Sequence, residues 1–177
     1  MIETLISSKT RIKLLLKFFL NSHATAYLRG LESEFGDSSN AIRLELNRFE
    51  KAGMLISFTN GNKKIFKANT SHPLYKDTHN ILLKYIGFDK IIDTVIERLG
   101  DVKKVYVTGA FAKGLDDSII DLAFIGDINT SYLGELVNKA EKHLSRRIRF
   151  IVFSESEAIA QAFETKHESV LLLWSAE

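Results

Sequence analysis

At 177 residues, 45% hydrophobic and 26% charged, with a formal net charge of +2, the chain has ordinary globular composition. That excludes wholesale disorder, collagen-like repeats and low-complexity character. The absence of cysteine removes disulfide frameworks, thiolate zinc or iron–sulfur sites, a cysteine nucleophile and thiol redox switching. No apolar run approaches the roughly 20 residues of a bilayer span. Met1 to Lys9 lacks the basic, apolar and small-residue order of a secretion signal. The expectation is a soluble cytoplasmic protein with no membrane partner.

The near-neutral charge is a composite. Residues 1–72 hold 11 Lys and Arg against 6 Asp and Glu, a net of +5, and residues 73–177 hold 13 against 16, a net of −3. A basic half hints at nucleic acid, although a solvated surface can carry the same excess. The single proline, Pro73, sits where the sign changes, inside the polar connector Asn69 to Pro73, which has helix-starting chemistry. The expected domains are therefore residues 1–72 and 73–177.

In chain order, Lys9 to Asn21 spaces Ile12, Leu15, Leu16 and Phe19 as a helix, with Lys13 and Lys17 on another face. Ala26 to Phe35 reads as a second helix, closed by Gly36. Asp37, Ser38 and Ser39 offer N-caps for a third helix that reaches Ala52 and stops at Gly53. Leu55 to Thr59 and Lys63 to Ala68 read as strands about a tight Asn60-Gly61 turn, a strong hairpin signal.

Beyond Pro73 the pattern alternates. Leu74 to Ile86 and Phe88 to Leu99 are predicted helices, followed by a strand at Lys104 to Thr108 and a glycine-bounded loop from Gly109 to Gly114. A strand at Ile119 to Ile125, a helix at Ser131 to Arg146, a strand at Ile148 to Phe153, a helix at Glu155 to Phe163 and a last strand at Val170 to Trp174 complete it.

Three helices followed by a hairpin is the order of a winged helix-turn-helix, whose third helix enters the major groove while the wing touches the flanking backbone. Ile42, Leu46 and Phe49 make a core stripe on that helix, and Asn40, Arg43 and Asn47 share another face. Arg and Asn carry the forked groups that match guanine and adenine edges. Ser38 and Ser39 at the helix start suit phosphate contact, Asn62, Lys63 and Lys64 at the wing tip suit phosphate or minor-groove contact, and Lys51 near the helix end is a further candidate DNA-binding residue. Any one of these fits a solvated surface, but together they point to double-stranded DNA.

The stretches Leu5 to Leu15 and Ser39 to Leu55, the latter ending Leu46-Asn47-Arg48-Phe49-Glu50-Lys51-Ala52-Gly53-Met54-Leu55, resemble ArsR-type winged-helix regulators of bacteria. The resemblance covers residues 1–72 and implies DNA binding as a homodimer. Metal-sensing members use Cys or clustered His. This chain has no Cys and only scattered His23, His72, His79, His143 and His167, so no metal and no cofactor are expected.

Val105 to Gly114 followed by Ser118-Ile119-Ile120-Asp121-Leu122 resembles a minimal nucleotidyltransferase domain. That family carries a strand, then G-S-x-x-x-G, then a strand with D-x-D. Two carboxylates one residue apart on a strand hold divalent cations against a triphosphate, and a third acid on a later strand completes the site. Here Ala110 replaces the serine, Ile119 replaces the first acid, only Asp121 survives, and Arg147 to Phe153 contains no acid. Asp116, Asp117 and Asp127 lie off the motif spacing and read as turn and cap residues. The expectation is a domain without catalytic residues that dimerises, or binds a nucleotide-like ligand through Gly109, Lys113, Gly114 and Asp121. An active nucleotidyltransferase targeted to a macromolecule by its winged helix is the alternative. The expected fold class is α+β, a winged helix joined to a nucleotidyltransferase-like α/β domain with a small mixed sheet.

Overall fold

The structure is a computed structural model and describes residues 2–99, 101–160 and 170–176. The fold is mixed α+β, and the chain divides into two compact units, Met1–Tyr85 and Ile86–Glu177.

The first unit opens with α1 (Ile2–Leu5) and α2 (Lys9–Leu15), and Ser8 caps α2 by accepting the Arg11 N–H. The helix runs on as a π-helical turn, Leu16–Leu20, in which every residue is buried. Next come β1 (Thr25–Tyr27) and α3 (Leu28–Phe35), which Gly36 ends at φ +67°. The Ser38 hydroxyl accepts the Ala41 N–H to start α4 (Ser39–Lys51), and the hairpin strands β2 (Leu55–Asn60) and β3 (Lys63–Ala68) follow. Helix α5 (Tyr75–Ile86) comes last. Leu14, Phe18, Leu31, Ile42, Leu46 and Leu55 are at most 1% exposed, so the apolar stripe of α4 closes on α2, α3 and the hairpin.

Three sequence expectations shift here. Ala26 and Tyr27 belong to a strand with Thr25 and do not start the second helix, because β1 pairs antiparallel with β3 (Thr25 with Lys67, Tyr27 with Ile65) and completes the sheet order β1-β3-β2. Partners 38 to 42 residues away override local helix propensity there. The hairpin loop is Gly61-Asn62, one place later than expected, since Asn60 still pairs with Lys63. Gly61 takes φ +60°, which a glycine adopts without steric cost. The division between units falls after Tyr85, where the sequence reading placed a joint at Pro73. Helix α5 belongs to the first unit because the Tyr75 ring lies 5.7 Å from Phe19 and His79 Nδ1 is 2.7 Å from the Phe19 carbonyl.

Ion pairs tie the helices together. Glu45, 4% exposed, accepts from Arg11 at 2.9 and 3.2 Å and from Arg48 at 3.0 Å. Lys13 joins Asp37 at 2.7 Å, and Lys17 joins Glu34 at 2.6 Å.

In the second unit, α6 (Phe88–Ile91), a π-helical turn (Ile92–Ile96) and α7 (Glu97–Leu99) form one helical run. After it come β4 (Val102–Thr108), α8 (Gly109–Ala112), β5 (Ile119–Gly126), α9 (Thr130–Glu141), β6 (Arg147–Phe153), α10 (Glu155–Ala160) and β7 (Leu171–Ser175). The segment Gly109 to Gly114, expected as a loop, thus begins as a helical turn. Helix α9 ends at Glu141, short of the expected Arg146, and the expected helix end at Phe163 lies outside the described residues, as does His167.

The sheet order is β6-β5-β4-β7, with β5 and β6 parallel and the other pairings antiparallel. Tyr106, Ala123 and Ile125 on one face pack with Ala158 of α10. The opposite face presents Val105, Val107, Ile120, Leu122 and Phe124, all at most 1% exposed. Strand β6 is an edge. Its Arg147 N–H turns inward to the Ser118 carbonyl, so the Ile148 N–H turns outward, where Glu141 accepts it at 2.6 Å. At the far end Glu157 accepts the Ser154 N–H at 2.8 Å while Ser154 Oγ accepts the Glu157 N–H, a capping box that starts α10.

Candidate functional site

Helix α4 owes its length to its ends: the Ser38 cap, the Ala52 C-cap and Gly53 at φ +73°. Its stripe of Ile42, Leu46 and Phe49 fixes the rotation, and Asn40, Arg43 and Asn47 are therefore exposed. Arg43, Asn47, Asn62, Lys63 and Lys64 line one groove of about 480 Å³ between α4 and the wing, together with Tyr27 and Arg29. Of the residues expected at a DNA interface, these five are brought together. Ser38, Ser39, Asn40 and Lys51 lie outside the groove lining, and the Ser38 hydroxyl is engaged as a cap.

The two wing lysines are held against the protein. The Lys63 ammonium lies 4.2 Å from the centre of the Tyr27 ring, a contact worth about 0.5–1 kcal/mol at an exposed site. Lys64 pairs with Glu50 of α4 at 2.7 Å and lies 5.1 Å from the Phe66 ring centre. Hydrogen bonds to Glu50 from Lys64 and then from the Ser57 hydroxyl hold its carboxyl below the usual carboxylate range. Both wing lysines thus already have partners within the protein.

Sequence reasoning missed Arg29. With Ala26 to Phe35 read as one helix, Arg29 had no reason to approach the wing. Once β1 pairs with β3, the start of α3 is drawn to the hairpin and Arg29 joins the groove.

In the second unit, Gly109 takes φ +66° at the start of α8, and a Cβ there would collide with the Asp121 carboxylate. Asp121 pairs across the sheet with Thr108 on one side and Arg149 on the other. The Arg149 guanidinium donates to both Asp121 oxygens, at 2.7 and 3.0 Å. That hydrogen bonding to Asp121 raises the pKa of Arg149. Arg149 therefore stands on the later strand, directly beside Asp121, where the nucleotidyltransferase resemblance calls for an acid. Gly114 is buried at φ +74°, and Lys113 is exposed at the end of the turn.

The neighbouring acids have structural work. Asp116 pairs with Arg146 at 2.8 Å, and Arg146 also donates to the Asp117 carbonyl and lies over the Phe111 ring. The Asp117 carboxylate accepts the Ile119 N–H at 3.2 Å at the start of β5. Among the described residues, no group of three or more His, Cys, Asp or Glu side chains gathers to hold a metal.

No helix among the described residues is long and apolar enough to cross a membrane. No protein-family model matches the chain, and no curated protein matches it. Among solved structures, reduced HlyU of Vibrio cholerae N16961 is similar at 14% identity over 49% of this chain and 85% of its own, with a TM-score of 0.38. A toxin–antitoxin with AMP-PNP is similar at 16% identity over 51% of this chain and 75% of its own, with a TM-score of 0.38. A candidate nucleotidyltransferase of Sulfolobus solfataricus is similar at 22% identity over 52% and 82%, with a TM-score of 0.36. Each likeness spans about half of this chain, at scores that carry no functional argument.

Proposed function

We propose that this chain is a DNA-binding transcriptional regulator that works as a homodimer. Its winged helix reads duplex DNA, and its nucleotidyltransferase-like part has no catalytic role and serves dimerisation or ligand sensing. One observation carries the reading: Arg43 and Asn47, on the exposed face of α4, line the same groove as Asn62, Lys63 and Lys64 of the wing. Forked donors for base edges thus stand beside cations for phosphates, as a helix-plus-wing interface requires. The dimer rests on the ArsR resemblance alone.

The loss of chemistry is supported by the bidentate Arg149–Asp121 pair. An arginine already neutralises the one carboxylate the motif retains, and Ile119 offers no second one. A single neutralised acid gives two cations no anchor.

Selection from a random pool of duplex DNA with the purified protein tests the regulator. Enrichment of a defined sequence, with a two-fold repeat for a dimer, is the expected result. Enrichment of no sequence rejects it. Incubation with magnesium and labelled nucleoside triphosphates tests the second part, and transfer that Asp121→Ala abolishes would establish the enzyme instead.

A further inference from the structure

Most of the cationic side chains of residues 1–72 already have partners inside the fold. Of these 11 basic side chains, Arg11, Lys13, Lys17, Arg48 and Lys64 are in ion pairs, and Lys63 and Lys67 lie over aromatic rings. Arg29 and Arg43 differ from these. Both are exposed, and among the described residues neither makes a hydrogen bond, ion pair or ring contact. Both line the groove between α4 and the wing. They come from different elements, Arg29 from the start of α3 and Arg43 from the first half of α4. Two guanidiniums held apart by the fold, each with all five donors available, suit an extended anion better than a point charge.

We infer that Arg29 is a phosphodiester clamp. One strand of duplex DNA runs through this groove with its backbone against Arg29, while Arg43 one element away meets base edges. The inference rests on the DNA-binding reading and adds a residue and a division of labour to it. Charge complementarity selects the occupant: among the described residues no acidic side chain lines the groove, and a bidentate guanidinium–phosphate contact is the strong geometry for arginine. Because Lys64 is already paired with Glu50 and Lys63 rests on Tyr27, Arg29 supplies a phosphate charge that needs no prior release.

The experiment measures binding of the full chain to its selected DNA, and to scrambled duplexes, over a series of salt concentrations. The expected result for Arg29→Ala is weaker binding to all duplexes alike. Its plot of log affinity against log salt is shallower by about 0.9, the loss of one phosphate contact. Arg29→Lys keeps most of the slope, and circular dichroism of both variants checks the fold. Arg43→Ala changes which sequences are preferred. An Arg29→Ala slope equal to that of the parent, or a loss confined to one sequence, overturns the clamp and leaves DNA binding standing. A parent protein that selects no DNA overturns both.

Discussion

Arg149 on β6 grips Asp121 on the adjacent strand β5 with two parallel hydrogen bonds, at 2.7 and 3.0 Å. The pair is formed because parallel register places the two residues side by side on the same face of the sheet. Ile119, two residues before Asp121, shares that face.

The first prediction follows from that register. Ile119→Asp combined with Arg149→Ala puts two free carboxylates on one face and should create a weak divalent-cation site. Calorimetric titration with manganese should show binding by the double variant and none by the parent. Equal silence from both, with fold intact, would mean that register alone does not define the ligand geometry.

The contact between Gly109 and Asp121 gives a second. Gly109→Ala forces a side chain into a left-handed backbone and onto the Asp121 carboxylate. The expected cost is on the order of 2 kcal/mol of stability. Denaturant unfolding of Gly109→Ala with Asp121→Ala should recover part of it, because the collision disappears while the backbone strain stays. Strict additivity of the two losses would show that they are uncoupled.

A third concerns pH. Burial pushes the Glu45 pKa up, but hydrogen bonding and charge from Arg11, with Arg48 behind, bring it below its ordinary value of 4.5. A depressed folded pKa gives stability that is present above the unfolded pKa and is lost as pH falls through the folded one. Stability should thus decline below about pH 4.5, and Glu45→Gln should flatten that decline while costing about 1–3 kcal/mol at pH 7. An unchanged acid limb in the variant would place the sensitivity elsewhere, with Asp37 the next candidate.

The fourth separates wing charge from wing availability. Glu50→Gln releases Lys64 from its 2.7 Å ion pair and should strengthen DNA binding, with a salt slope steeper by up to about 0.9. Lys63→Ala with Lys64→Ala should act in the opposite sense. If neither variant moves the slope, the wing tip does not touch the backbone.

Strong local periodicity made α4 and the hairpin legible in the sequence. Ile42, Leu46 and Phe49 are all buried as their spacing demands, and the glycine of the turn is where a tight hairpin needs it. What escaped was decided by distant partners. Thr25 to Tyr27 become a strand only through β3. Glu45 is buried, and its partner is a guanidinium 34 residues away that no local pattern names. At the candidate interface the residue types on α4 and the wing could be read directly. Arg29 could not, since its place depends on that strand. Ala110 and Ile119, where the chain departs from the nucleotidyltransferase pattern it resembles, were readable in the sequence, whereas the closure of Asp121 by Arg149 is a property of strand register.

The glutamates at the two ends of β6 bear on how the molecule behaves in a crowded solution. An open sheet edge is a template on which another chain can add a strand. Here the outward N–H of Ile148 is taken by Glu141, and that of Ser154 by Glu157. Only Phe150 and Val152 are left between them to offer backbone groups to a newcomer, too short a stretch to nucleate a stable ladder. The carboxylates also bring negative charge to the place where an incoming carbonyl would have to sit. The second unit thus carries its own protection against strand-by-strand association, supplied by two side chains that also serve the ends of α9 and α10.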